Sequence, residues 1–130
     1  MKIAIGTVQF GKRYGILNKK KPNDKTIKSI LNYAQNSNID TIDTAFNYGD
    51  AEKKLGLFFP KKNTFKVVTK TPVFFSSKYE DISEYFNDAF NSSYFKLNKK
   101  VIYGLLIHHP FDMLSDYSNI IWDEMINLNE

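Results

Sequence analysis

Ile39-Asp40-Thr41-Ile42-Asp43-Thr44-Ala45-Phe46-Asn47-Tyr48-Gly49-Asp50-Ala51-Glu52-Lys53-Lys54-Leu55-Gly56-Leu57-Phe58 contains one complete structural unit. Ile39 to Thr44 reads as a strand. Ala51, Leu55 and Phe58 then fall at i, i+4 and i+7, one face of a short helix. A strand that hands over to a helix across a short loop is the unit from which parallel sheets are wound.

Outward from that stretch the unit recurs. Lys2 to Val8 is a strand-like run, followed by a glycine-rich loop with Gly11 and Gly15. Ile27, Ile30, Leu31 and Ala34 then mark a helix face, with Asn23 or Asp24 to cap its start and Ser37-Asn38 to end it. Phe65 to Thr69 is β-branched and apolar, and Pro72 breaks the chain after it. Ile82, Phe86, Ala89 and Phe90 line a third helix. Val101 to Ile107 is a fourth strand, ended by Pro110. Ile121, Met125 and Leu128, flanked by Trp122 and Ile126, give a fourth helix face.

Strict alternation predicts an α/β fold with a parallel sheet and right-handed crossovers. The strands are nearly all apolar, as expected of strands covered on both faces. An open doubly wound sheet and part of an eight-unit barrel both satisfy this pattern. The 130 residues over four units sit close to the roughly 31 residues per unit of a barrel of about 250 residues. The expectation is one domain, residues 1–130, forming four β/α units: the N-terminal half of a (β/α)8 TIM barrel without its C-terminal half.

Composition narrows the function. Hydrophobic residues make up 42% and charged residues 25%, the balance of a globular chain that can bury a core. No cysteine is present, which excludes disulfide scaffolds, thiolate metal sites and thiol catalysis; no metal site is expected. The opening strand is too short for a signal-peptide core, and the longest apolar run, Val101 to Ile107, cannot span a bilayer. A cytoplasmic protein with no membrane partner is expected. The net charge of +4 comes with lysines grouped at Lys19-Lys20-Lys21, Lys61-Lys62 and Lys99-Lys100, each at a loop or element edge. That scatter reads as solvated lysines, so no nucleic-acid partner is expected.

The chemically capable residues stand just past strands. Asp43 ends the second strand and Tyr48 lies in the loop after it; Lys70 ends the third and His108 the fourth. In a parallel barrel all of these open onto the C-terminal face, where active sites are built. Each alone has a plain structural reading: a loop-organising Asp43, a turn at Tyr48-Gly49, a solvated Lys70, a packed His108. Four such residues at successive strand ends point instead to a shared site.

Asp43-Thr44-Ala45-Phe46-Asn47-Tyr48-Gly49, with Glu52 and Leu55-Gly56, resembles the D-T-A-x-x-Y-G…E…L-G signature of aldo-keto reductases. Val67-Val68-Thr69-Lys70 is similar to that family's strand ending in a catalytic lysine. Leu105-Leu106-Ile107-His108-His109-Pro110 resembles its L-x-x-H-x-P segment and selects His108 over His109. Ile5-Gly6-Thr7-Val8-Gln9-Phe10-Gly11, with Tyr14-Gly15-Ile16, is similar to a bacterial branch associated with surface-sugar metabolism.

The resemblance covers the whole chain and implies NADPH-dependent reduction of an aldehyde or ketone, a small-molecule carbonyl substrate. It assigns catalysis to Asp43, Tyr48, Lys70 and His108, and places Gly6, Thr7 and Asp43 beside the cofactor. A phenol ordinarily keeps its proton up to about pH 10, and a neighbouring ammonium favours its release. Asp43 would orient that ammonium, and His108 would hydrogen-bond the substrate oxygen while Tyr48 protonates it.

Other readings compete. Gly6-Thr7-Val8-Gln9-Phe10-Gly11-Lys12 has the spacing of a phosphate-binding loop, but Arg13 stands where a magnesium-holding Ser or Thr belongs. Lys70 could form a Schiff base, which needs a desolvated amine that Asp43 opposes. The chain could also bind without reacting, as a partner domain. Its first and fourth strands would each leave a barrel edge open to self-association.

Overall fold

The computed structural model describes residues 3–16, 20–62, 64–75, 79–98 and 102–128. Four strands, β1 (Ala4–Gly6), β2 (Thr41–Asp43), β3 (Lys66–Lys70) and β4 (Gly104–Leu106), form one parallel sheet in the order β1-β2-β3-β4. Helix α1 (Val8–Gly11) is a single turn; α2 (Asp24–Asn36), α3 (Ala51–Phe58), α4 (Ile82–Lys96) and α5 (Ser118–Asn127) are longer, and a 3-10 turn covers Pro110–Leu114. Sequence order and spatial order coincide, as in one arc of a β/α barrel. Among the described residues no helix is long and apolar enough to cross a membrane.

Local chemistry sets the helix ends. Asn23 caps α2 by accepting from the Thr26 N–H at 2.8 Å, and Asp81 caps α4 by accepting from the Glu84 N–H at 2.9 Å. Asn38 and Asn98 take left-handed conformations, φ 56° and 47°, just past α2 and α4. Asparagine tolerates this turn, and at α2 it lets the Ile39 N–H reach the Ala34 carbonyl at 2.9 Å.

The strands are shorter than expected, and Val8 belongs to α1 rather than β1. The cause is Thr7, whose N–H and hydroxyl both donate to the Asp43 carbonyl, at 3.0 and 2.9 Å. The N–H bond is the last rung of the ladder; the Thr7 carbonyl then accepts from the Phe10 N–H at 2.8 Å, which starts a helical turn. Lys2 and Val101, where two of the expected strands begin, lie outside the described residues.

The two faces of the sheet differ, as a half-barrel requires. Ile5, Ile42, Val67, Thr69 and Leu105 point to the helices, and Ile42, Val67 and Thr69 are buried. Their neighbours Gly6, Asp43, Lys66, Lys70 and Leu106 occupy the other face and are exposed or half-buried. One face is covered, the other is open. The reason is alternation: strand residues leave on opposite sides, and all four long helices follow their strands to the same side.

The covered side has two packing clusters. Ile27 and Leu31 of α2, Leu55 of α3 and Ile42 and Val67 of the sheet belong to the first. Phe74, Ile82, Phe86 and Ile121 make the second, with Tyr79 and Tyr85 packed against it. In the expected face of α5 only Ile121 is buried, while Trp122 and Ile126 remain exposed.

Candidate functional site

Register brings the candidate residues to one end of the open face. Gly6 pairs with Asp43, and Asp43 with Val68. Lys70 stands two residues beyond Val68, so its side chain leaves on the same face as Asp43. Its ammonium donates to Asp43 Oδ2 at 2.7 Å and to the Thr44 carbonyl at 2.8 Å. The same nitrogen lies 5.1 Å from the centre of the Tyr48 ring, within cation–π range. That nitrogen is committed to two acceptors, unlike the free desolvated amine a Schiff base requires.

Tyr48 sits in a tight turn. Its N–H donates to the Ala45 carbonyl at 3.0 Å, and its own carbonyl accepts from the Ala51 N–H at 3.2 Å. Gly49 follows with φ 60°, where a side chain would be strained. A Cβ on Gly11 would lie 1.7 Å from the Tyr48 carbonyl oxygen, so α1 abuts this turn with no room for any other residue. The phosphate-loop spacing, already set aside because of Arg13, serves close packing: Gly11 closes a one-turn helix.

His108 completes the group. Its backbone N–H donates to the Thr71 hydroxyl at 3.2 Å, and its ring meets the Tyr48 ring edge-on at 86°, with centres 5.7 Å apart. Burial, and then the nearby Lys70 charge, push the imidazole below the usual histidine value of 6.5. A neutral imidazole carries one N–H donor and one acceptor, and its buried Nδ1 has no hydrogen-bond partner among the described residues.

Asp43, Tyr48, Lys70 and His108 are thus brought together. Gly6 lies beside Asp43 with nothing within 4 Å of where a Cβ would stand. Thr7 differs: it is fully buried and its hydroxyl is committed to the Asp43 carbonyl.

Two buried carboxyl groups escaped the sequence reading of roles. Glu52, 1% exposed, accepts from the Thr69 and Ser93 hydroxyls. Its signals were its place in the D-T-A-x-x-Y-G…E…L-G pattern, which assigned it no role, and a carboxylate three residues before Leu55 on the helix's apolar face. Asp112, fully buried, accepts from the backbone N–H groups of Phe74 and Phe75 at 3.0 and 2.7 Å. It clasps the loop after β4 to the loop after β3, and no spacing in the sequence announced it.

The model of the aldo/keto reductase family matches residues 2–128 of this chain. The chain belongs to the aldo-keto reductase family. Two solved structures described as aldo-keto reductases from Pseudomonas aeruginosa share its fold. One superposes with a TM-score of 0.76 at 23% identity, the other with 0.77 at 24%, each over 97% of this chain. This aldo-keto reductase chain in turn covers 51% and 48% of theirs, about half the length of the structures it matches. No curated protein sequence matches it.

Proposed function

We propose that this aldo-keto reductase chain carries the proton-transfer group of an NADPH-dependent carbonyl reductase. The observation that carries the reading is Lys70: its ammonium is bonded to Asp43 and stands 5.1 Å from the centre of the Tyr48 ring. NADPH, when bound, supplies the hydride to the carbonyl carbon. The residues fit a flat nicotinamide at the end of β1, where Gly6 offers bare backbone on the open face. Gly6 and Asp43 would border that ring, and Thr7 would hold the Asp43 backbone from behind.

The chain's own residues handle the proton. His108, held neutral by burial, donates a hydrogen bond to the carbonyl oxygen and turns it toward Tyr48. Tyr48 gives its proton to that oxygen as negative charge develops there. Lys70 stabilises the phenolate left behind, and Asp43 holds and aims the ammonium. The similarity of Ile5 to Gly11 to a surface-sugar branch supports a sugar-derived carbonyl as the narrower substrate class.

Tyr48→Phe tests the reading. In a form of the protein that turns over, stopped-flow reduction of an aromatic aldehyde by NADPH should slow by roughly 100- to 10,000-fold, the usual contribution of general acid catalysis, with NADPH affinity little changed. An unchanged chemical step would assign the proton to another group.

A further inference from the structure

Glu52 has no chemical task in that scheme, yet it is only 1% exposed and stands on the first turn of α3. Thr69 donates its hydroxyl to one carboxyl oxygen at 2.7 Å, and Ser93 donates to the other at 2.9 Å. One side chain therefore joins α3, β3 and α4. A carboxyl group taken out of water depends on such bonds, and losing one leaves a buried acceptor unsatisfied.

Both ends of this bridge reach the supports of the candidate site. Upstream, the Ala51 N–H binds the Tyr48 carbonyl, so the first turn of α3 moves with the Tyr48 turn. Downstream, Thr69 directly precedes Lys70. The two side chains leave β3 on opposite faces, so fixing Thr69 from the helix side fixes where Lys70 emerges on the open side. Gly11 closes the third direction by its contact with the Tyr48 carbonyl.

We propose that Glu52 is a positioning residue: by holding Thr69, it sets the Tyr48 ring against the Lys70 ammonium. This rests on the carbonyl-reductase reading of Tyr48 and Lys70. Shape alone would anchor α3 through Ala51 and Leu55, both fully buried; the carboxyl bridge adds register between helix and strand, which apolar contacts do not specify.

Thr69→Val keeps side-chain volume and removes the donor to Glu52. The expected result is a kcat lower by roughly 10- to 100-fold, the cost of a small misplacement of reacting groups. KM for an aromatic aldehyde and the Kd for NADPH should stay near wild type. Thr69→Ser, which retains the hydroxyl, should restore kcat. A purely structural role would lower Tm and leave kcat per folded molecule unchanged, and that result overturns the proposal.

A second readout needs no turnover. The nuclear Overhauser contact between the Tyr48 and His108 rings, with centres 5.7 Å apart, should weaken in Thr69→Val and return in Thr69→Ser. If the wild-type protein reduces no carbonyl, the functional reading fails and this contact alone decides. Its persistence in Thr69→Val would then overturn the positioning role.

Discussion

The two faces of the sheet use the same four strands for opposite ends. On the helix side Ile42, Val67 and Thr69 are buried, and even the carboxyl group of Glu52 has a hydroxyl partner on each oxygen. On the open side Asp43 and Lys70 keep 40% and 15% of their side chains exposed, and their bonds run to one another. Burial on one face supplies stability; partial exposure on the other keeps charged groups reachable by a ligand. The difference shows where to look for chemistry in such a unit: at the carboxyl end of the face that apolar side chains leave uncovered.

Two leucines test this division directly. Leu55, fully buried on the helix side, should cost about 2–5 kcal/mol when cut to alanine, through lost transfer energy and an unfilled cavity. Urea unfolding measures it, and the ring contact between Tyr48 and His108 should survive in the folded fraction. A loss well under 1 kcal/mol would mean that the helix-side cluster is not the main support.

Leu106, 49% exposed on the open face of β4, should behave otherwise. Replacing it with lysine should change unfolding free energy by no more than about 0.5 kcal/mol. We expect the chain to self-associate through this face and its open edges, since uncovered apolar patches and unpaired strands seek partners. Sedimentation at several concentrations should show Leu106→Lys weakening that association about tenfold, the worth of one buried side chain. A wild-type chain that stays monomeric at high concentration removes the expectation.

The smallest effect is a titration. Burial depresses His108 below 6.5 in the folded chain, so as pH falls through 6.5 the unfolded chain takes up a proton first. Stability should therefore decline as pH drops below 6.5, until the folded His108 also protonates. Its imidazole resonances should show a midpoint under 6.5, and His108→Gln should flatten this part of the stability profile. A midpoint above 6.5 would mean that the ring is more open to solvent, or closer to a carboxylate, than its packing indicates.

Much of this contrast was legible in the sequence. Asp43, Lys70 and His108 could be placed because strand periodicity is two and each stands at the end of an apolar run. The turn at Tyr48-Gly49 announced itself through glycine. Which face the helices take was not legible, because apolar strand residues do not say which side is covered, and small or polar residues on the open face, such as Gly6 and Thr41, are brief interruptions in short strands. Val8 was misplaced because its conformation follows from Thr7 binding a carbonyl 36 residues away. The bonding roles of Glu52 and Asp112 were opaque for the same reason. Their partners stand between 17 and 41 residues distant, and satisfaction of a buried polar group depends on tertiary contacts that local pattern does not encode.

The clasp at Asp112 limits how this scaffold can diversify. One carboxylate oxygen receives two consecutive N–H groups, from Phe74 and Phe75, and thereby ties the chain four residues beyond His108 to the chain four and five residues beyond Lys70. Neither stretch can gain or lose a residue without breaking the bond to the other. Insertions that enlarge or reshape the mouth of the site therefore have to fall past Phe75 in one loop and past Asp112 in the other. Anyone grafting new loops onto this face should treat Lys70 to Phe75 and His108 to Asp112 as a single cassette, exchanged together or left alone.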